Sequence, residues 1–132
     1  KGKSKNEINN LVMEALESVG LKKAVDQMPA ELSGGMKKRI GLARTIILKP
    51  EIILYDEPTT GLDPVTSGEI SELMLHIQEK YNTSSIIVTH DMKCVKMTAN
   101  KIKLLSDGIF YAEGTYEELS DRDDENIKGY FN

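Results

Sequence analysis

The sequence predicts an α/β fold: a parallel sheet between helices, with a small antiparallel hairpin toward the C-terminal end. Three observations predict it. Residues 51–64 read "EIILYDEPTTGLDP", where Ile52, Ile53 and Leu54 form the apolar run of a strand buried on both faces. "SIIVT", residues 85–89, is a second such run, and helical patterns flank both, the order that makes a parallel sheet. "SDG" then separates two further β-type runs and carries hairpin turn chemistry.

Each element has its own signal. Ser4 with Glu7 fits a capping box, and Ile8, Leu11, Val12, Ala15, Leu16 and Val19 follow at helical spacing, with Gly20 suited to the position past the helix end. Residues 26–31 read as a linker around Met28 and Pro29. A second helix is expected from Ser33 to about Leu48, with Met36, Ile40, Ala43 and Ile47 on one face, and Lys49-Pro50 stops it. The first strand runs from Ile52 to Glu57, where Pro58 breaks the pattern. Thr66–Tyr81 is a helix striped by Ile70, Leu73, Met74 and Ile77, and the second strand closes at His90-Asp91. Lys101–Leu105 and Ile109–Ala112 form the hairpin, Thr115 with Glu118 caps a short helix, and "DRDDEN" is a charged turn before Ile127–Phe131.

Composition bounds the function classes. The 132 residues are the length of one domain, and a net charge of −4 gives no global attraction to nucleic acid or anionic lipid. Cys94 stands alone, so an internal disulfide is excluded and a reducing compartment such as the cytosol is expected. No apolar run approaches the roughly 20 residues that span a bilayer, and no signal-peptide pattern follows Lys1–Asn10. These features lead to the expectation of a soluble, cytosolic protein.

Four short motifs carry chemistry. "LSGGMKKR", residues 32–39, opens the second helix: Ser33 can cap it, and Gly34 and Gly35 let backbone amides approach an anion at the positive helix end. An ordinary Ser-Gly-Gly turn into a helix is the alternative. Asp56 and Glu57 end the first strand, where charges are costly to desolvate unless paired. Adjacent strand residues face opposite sides, so the two carboxylates have different tasks. One suits a divalent ion with a triphosphate, the other a water to be oriented and deprotonated; a solvated strand end is the bland reading. "TTGLDP", residues 59–64, places Asp63 in a tight loop, where starting the next helix with Pro64 is already a sufficient role. "VTHD" puts His90 at the C-terminal end of the second strand, where parallel sheets bind ligands, although a lone histidine there can be structural.

The order and spacing of the four resemble the C-terminal half of the nucleotide-binding domain of ABC (ATP-binding cassette) ATPases, a branch of the P-loop NTPase fold. "LSGGM" is similar to the family signature, "IILYDE" to the Walker B strand, "GLDP" to the D-loop and "VTHD" to the switch histidine, and the likeness runs from about Ile8 to Glu118. The resemblance implies that Asp56 helps hold Mg²⁺ beside ATP, that Glu57 is the catalytic base and that His90 contacts the γ-phosphate. It also implies that Ser33, Gly34 and Gly35 meet ATP held by a second subunit of a homodimer, and that Asp63 couples the two. Transmembrane permease subunits would be the further partners, placing the protein peripherally on the inner face of the cell membrane, with no nucleic acid expected.

Met36 stands where the commonest family form has glutamine. The string from Glu31 to Pro64, with "MPAELSGGM" and the closing "DRDDENIKGYF", most resembles the Mla-type branch, which implies phospholipid transport. A relative acting on DNA or ribosomes, or a non-catalytic interaction module, is the competing class. No G-x-x-x-x-G-K-[ST] phosphate loop occurs here; "GKS" at residues 2–4 has no preceding strand and no first glycine. The expectation is a partial cassette in three segments: a helical signature segment (1–50), a core segment with the hairpin (51–114) and a helical tail (115–132), with the phosphate-loop half absent. Such a chain is expected to be inactive alone and to self-associate through its uncovered sheet.

Overall fold

The computed structural model describes residues 2–131; the outermost positions of the first and last expected segments, residues 1 and 132, lie outside them. The element order is α1 (Lys5–Ser18), α2 (Gly34–Ile46), β1 (Ile52–Asp56), α3 (Pro64–Tyr81), β2 (Ser84–Val88), α4 (Met92–Thr98), β3 (Ile102–Ser106), β4 (Ile109–Gly114), α5 (Tyr116–Ser120) and α6 (Glu125–Phe131). Short 3₁₀ turns at Lys22–Ala24 and Pro29–Glu31 fill the connection between α1 and α2, including the expected linker.

Local chemistry sets the boundaries. Ser4 and Glu7 form the expected capping box on α1. Asp63 accepts from the amides of Val65 and Thr66 with Pro64 in the first turn, so α3 begins two residues before the expected Thr66. Asn82, in the left-handed region at φ 50°, ends that helix. Asp107 (φ 49°) and Gly108 (φ 80°) supply the two positive φ values of a type I′ turn between β3 and β4.

The chain forms two units, one ending at Val88 and one beginning at Thr89. In the first, β1 and β2 pair in parallel, Ile52 opposite Ser84 through Asp56 opposite Val88. One face of this pair packs on the helices: Ile53 joins Ala15 and Val19 of the α1 region, Leu42, Ala43 and Ile46 of α2, and Leu73 and Ile77 of α3. The other face is open, with Ile52, Leu54, Ile86 and Val88 exposed at 58%, 73%, 57% and 61%. The expectation of a strand buried on both faces is therefore corrected. Apolar character along a strand records what it can bury, not which layer is at hand to bury it.

In the second unit, β3 and β4 pair antiparallel, with a register shift between Leu104 and Leu105, over a core of Ile102, Leu104, Ala112, Leu119 and Ile127. The expected antiparallel hairpin forms its own two-stranded sheet. No helix among the described residues is long and apolar enough to cross a membrane.

Candidate functional site

Three segments of the first unit carry candidate residues. Ser33 caps α2, its Oγ accepting from the Met36 amide at 3.2 Å while its carbonyl accepts from the Lys37 amide at 2.9 Å. Gly34 and Gly35 form the first turn, and at Gly35 the lack of a side chain is a packing requirement. A Cβ on Gly35 would stand 2.7 Å from Thr66 Cγ2 of α3, and one on Gly34 would stand 3.4 Å from Leu62 Cδ2. The start of α2 is thereby seated against the Thr59–Pro64 loop and the first turn of α3. The expectation from sequence was glycine for close ligand approach; the structure adds a second, internal reason.

Asp63 is held within that loop. Its Oδ2 accepts from Thr66 Oγ1 at 2.5 Å and its Oδ1 caps α3, and these hydrogen bonds, that of the Thr66 hydroxyl foremost, hold its carboxyl below the usual aspartate range. The helix-starting role is thus filled, and the side chain is exposed besides.

Asp56 ends β1, exposed, opposite Val88. Glu57 lies just past the strand rather than in it. Its φ of 45° places it in the left-handed region, which costs a non-glycine residue about 1–2 kcal/mol. It also precedes Pro58, which steers its neighbour toward extended backbone. Several contacts hold this conformation. The Glu57 amide donates to Val88 O at 2.9 Å, and its carbonyl accepts from Lys38 Nζ at 2.9 Å and, more weakly, from the Thr60 amide at 3.4 Å. Its Oε2 accepts from Thr60 Oγ1 at 2.8 Å. A turn, not strand alternation, therefore sets the two carboxylates apart.

His90 is exposed in the second unit, beside Asp91, whose carboxylate caps α4 through the amides of Lys93 and Cys94. Lys38, Thr60 and Thr66 are site residues that sequence reasoning missed. Lys38 stands in the basic run "KKR", and only the docking of α2 beside β1 reveals which of its cations reaches the strand end.

Asp56 is the carboxylate here that could hold a divalent ion beside a phosphate. Among the described residues no three His, Cys, Asp or Glu side chains cluster as a metal cage. One exposed carboxylate at a strand end suits an ion that keeps its water and phosphate ligands. A cavity of about 160 Å³ lies between α2, β1 and α3 and touches this group through Lys38 and Asp56. It sits beside the strand end and leaves out Glu57, Asp63 and the signature glycines.

Comparison with known proteins gives the family and the fold. The ABC transporter family profile matches residues 3–60. The chain is 45% identical over 114 residues to the intermembrane phospholipid transport system ATP-binding protein MlaF of Haemophilus influenzae, covering 86% of this chain and 43% of that protein. It is 38% identical over 118 residues to the methionine import ATP-binding protein MetN of Carboxydothermus hydrogenoformans, covering 89% of this chain and 35% of that one. The chain thus spans less than half the length of these relatives. Among solved structures it resembles cbiO1 of Clostridium perfringens, part of the cbiONQ ABC transporter complex, with a TM-score of 0.82, 31% identity, and 89% and 47% of the two chains covered. It also resembles the ATP-binding cassette MJ0796, solved as a dimer bound to ADP and Pi, with a TM-score of 0.74, 30% identity, and 87% and 50% covered. The fold is that of these cassettes, within the P-loop NTPases, and the chain belongs to the ABC transporter ATPase family.

Proposed function

We propose that this chain is the signature-bearing portion of an ATPase subunit that couples ATP hydrolysis to membrane transport, with phospholipid as the substrate class. The observation that carries the ATPase reading is the strand-end pair: Asp56 exposed at the end of β1, and Glu57 turned away from it by a left-handed backbone and held by Thr60. Asp56 would hold Mg²⁺, which supplies charge neutralisation on the phosphates. Glu57 orients a water and accepts its proton on the carboxylate. Ser33 already engages the Met36 and Lys37 amides, so the Gly34 and Gly35 amides are the donors this helix end offers a γ-phosphate of a second subunit. The family resemblance assigns His90 a contact to the γ-phosphate as well, and Asp63 would couple the facing subunits.

The similarity to MlaF supports phospholipid as the cargo, and that to cbiO1, part of an ABC transporter complex, supports transporter partners. With permease subunits the protein would sit peripherally on the inner face of the cell membrane. No phosphate loop occurs in these 132 residues, so by themselves they are expected to bind Mg-ATP poorly and not to turn it over.

Turnover by the full-length protein tests the reading. Glu57→Gln keeps size and polarity but cannot take a proton, so hydrolysis should fall by roughly 10²- to 10⁴-fold. An unchanged rate would show that Glu57 is not the base. With its permease in vesicles, ATP should drive transfer of labelled phospholipid and not of methionine; the reverse would reassign the cargo.

A further inference from the structure

Glu57 occupies a backbone region that a non-glycine residue keeps only when its surroundings over-determine it. The Val88 carbonyl holds its amide and the Thr60 hydroxyl holds its carboxylate. The strong contact on its carbonyl comes from a different element: Lys38, half-buried in the second turn of α2, donates from Nζ at 2.9 Å. A cation on a carbonyl in a partly desolvated setting makes a charge-assisted hydrogen bond, roughly twice as strong as a neutral one. The helix that supplies this cation is the one that begins at Ser33 and seats Gly35 against Thr66.

We propose that Lys38 is a positioning residue for Glu57: its ammonium holds the left-handed turn that aims the carboxylate, and so ties that aim to the helix bearing Ser33, Gly34 and Gly35. The inference rests on Glu57 being the base. The Lys38 ammonium is engaged on the Glu57 carbonyl, so its loss should slow the chemical step and leave nucleotide binding alone.

Steady-state kinetics of the full-length protein test this. Lys38→Met keeps the aliphatic stem and removes the charge. It should lower kcat by about 10- to 100-fold, the weight of a charge-assisted hydrogen bond, with KM for ATP unchanged. Lys38→Arg, which restores a cationic donor, should recover most of the rate. In the Glu57→Gln background, Lys38→Met should cause no further loss, because the group it positions is already disabled, and any ATP-dependent dimer of that background should persist. Should Lys38→Met fail to fold, Lys38→Gln keeps a neutral donor and should give an intermediate kcat at unchanged KM. A normal rate in Lys38→Met beside a disabled Glu57→Gln overturns this inference alone, as does a loss expressed in KM. A normal rate in Glu57→Gln overturns the reading beneath it.

Discussion

Replacing Gly35 with alanine isolates the seam between the start of α2 and the start of α3. The added Cβ would lie 2.7 Å from Thr66 Cγ2, closer than such atoms approach in folded proteins. Thr66 cannot swing aside cheaply, because its Oγ1 is bonded to Asp63 Oδ2 at 2.5 Å and its β-branched side chain sits in the first turn of α3. Overpacking of this kind costs about 1–3 kcal/mol, while exchanging glycine for alanine in a helix returns up to about 1 kcal/mol. With the full return, a net loss of up to about 2 kcal/mol follows, which at an m-value near 2 kcal/mol/M lowers the urea midpoint by up to about 1 M. Gly41 in the same helix is the internal control. A Cβ there meets nothing within 4 Å, so Gly41→Ala should raise stability by about 0.5–1 kcal/mol. Thr66→Ser removes Cγ2 but keeps the hydroxyl, and should restore most of what Gly35→Ala loses. If Gly35→Ala raised the midpoint as Gly41→Ala does, close packing would not be the reason for glycine at this position.

Two further outcomes follow from the first unit. Burial pushes the Tyr55 hydroxyl up to about 12, with the neighbouring Ser85 hydroxyl offsetting only part of this. The folded state thus favours the neutral form. Its contribution is complete below the unfolded tyrosine value of about 10 and is lost as pH rises from about 10 to about 12. Urea midpoints across that range should fall less in Tyr55→Phe than in the parent, and equal slopes would remove Tyr55 as the cause. The open face of Ile52, Leu54, Ile86 and Val88 should make the 132-residue chain self-associate at micromolar concentration, and Leu54→Lys with Ile86→Lys should suppress it in light scattering. A monodisperse parent chain would contradict this.

What the sequence disclosed follows the range of the forces that write it. Helical periodicity located α1, α2 and α3, and the paired apolar runs located β1 and β2, because each pattern reports a local face that must be buried. Capping chemistry at Ser4 and Thr115 was equally legible. The seven-residue α4 was missed: too short for a clear stripe, it is announced mainly by the Asp91 cap, in a stretch that reads as the end of β2. The open face of β1 was not legible either, since the missing layer is a matter of tertiary partners. At the site, the residue types and their order were readable, while the left-handed turn at Glu57 was not. That conformation opposes both the preference of a glutamate and the influence of Pro58, and is held by Lys38, distant in sequence. Strain of this kind is where local rules fail and function concentrates.

The most direct measurement is the size of the full-length Glu57→Gln protein in solution with and without Mg-ATP. ATP should bind and persist, because Asp56 is untouched and the proton acceptor is gone. The trapped nucleotide should then join two subunits, the Ser33–Gly35 helix end of one facing the γ-phosphate bound by the other, and Ser33→Arg should abolish that dimer by placing a bulky cation at the phosphate-facing helix end. An ATP-dependent dimer that Ser33→Arg prevents is the result expected. A protein that stays monomeric with Mg-ATP and hydrolyses it at the parent rate would contradict the roles given to Glu57 and to the signature.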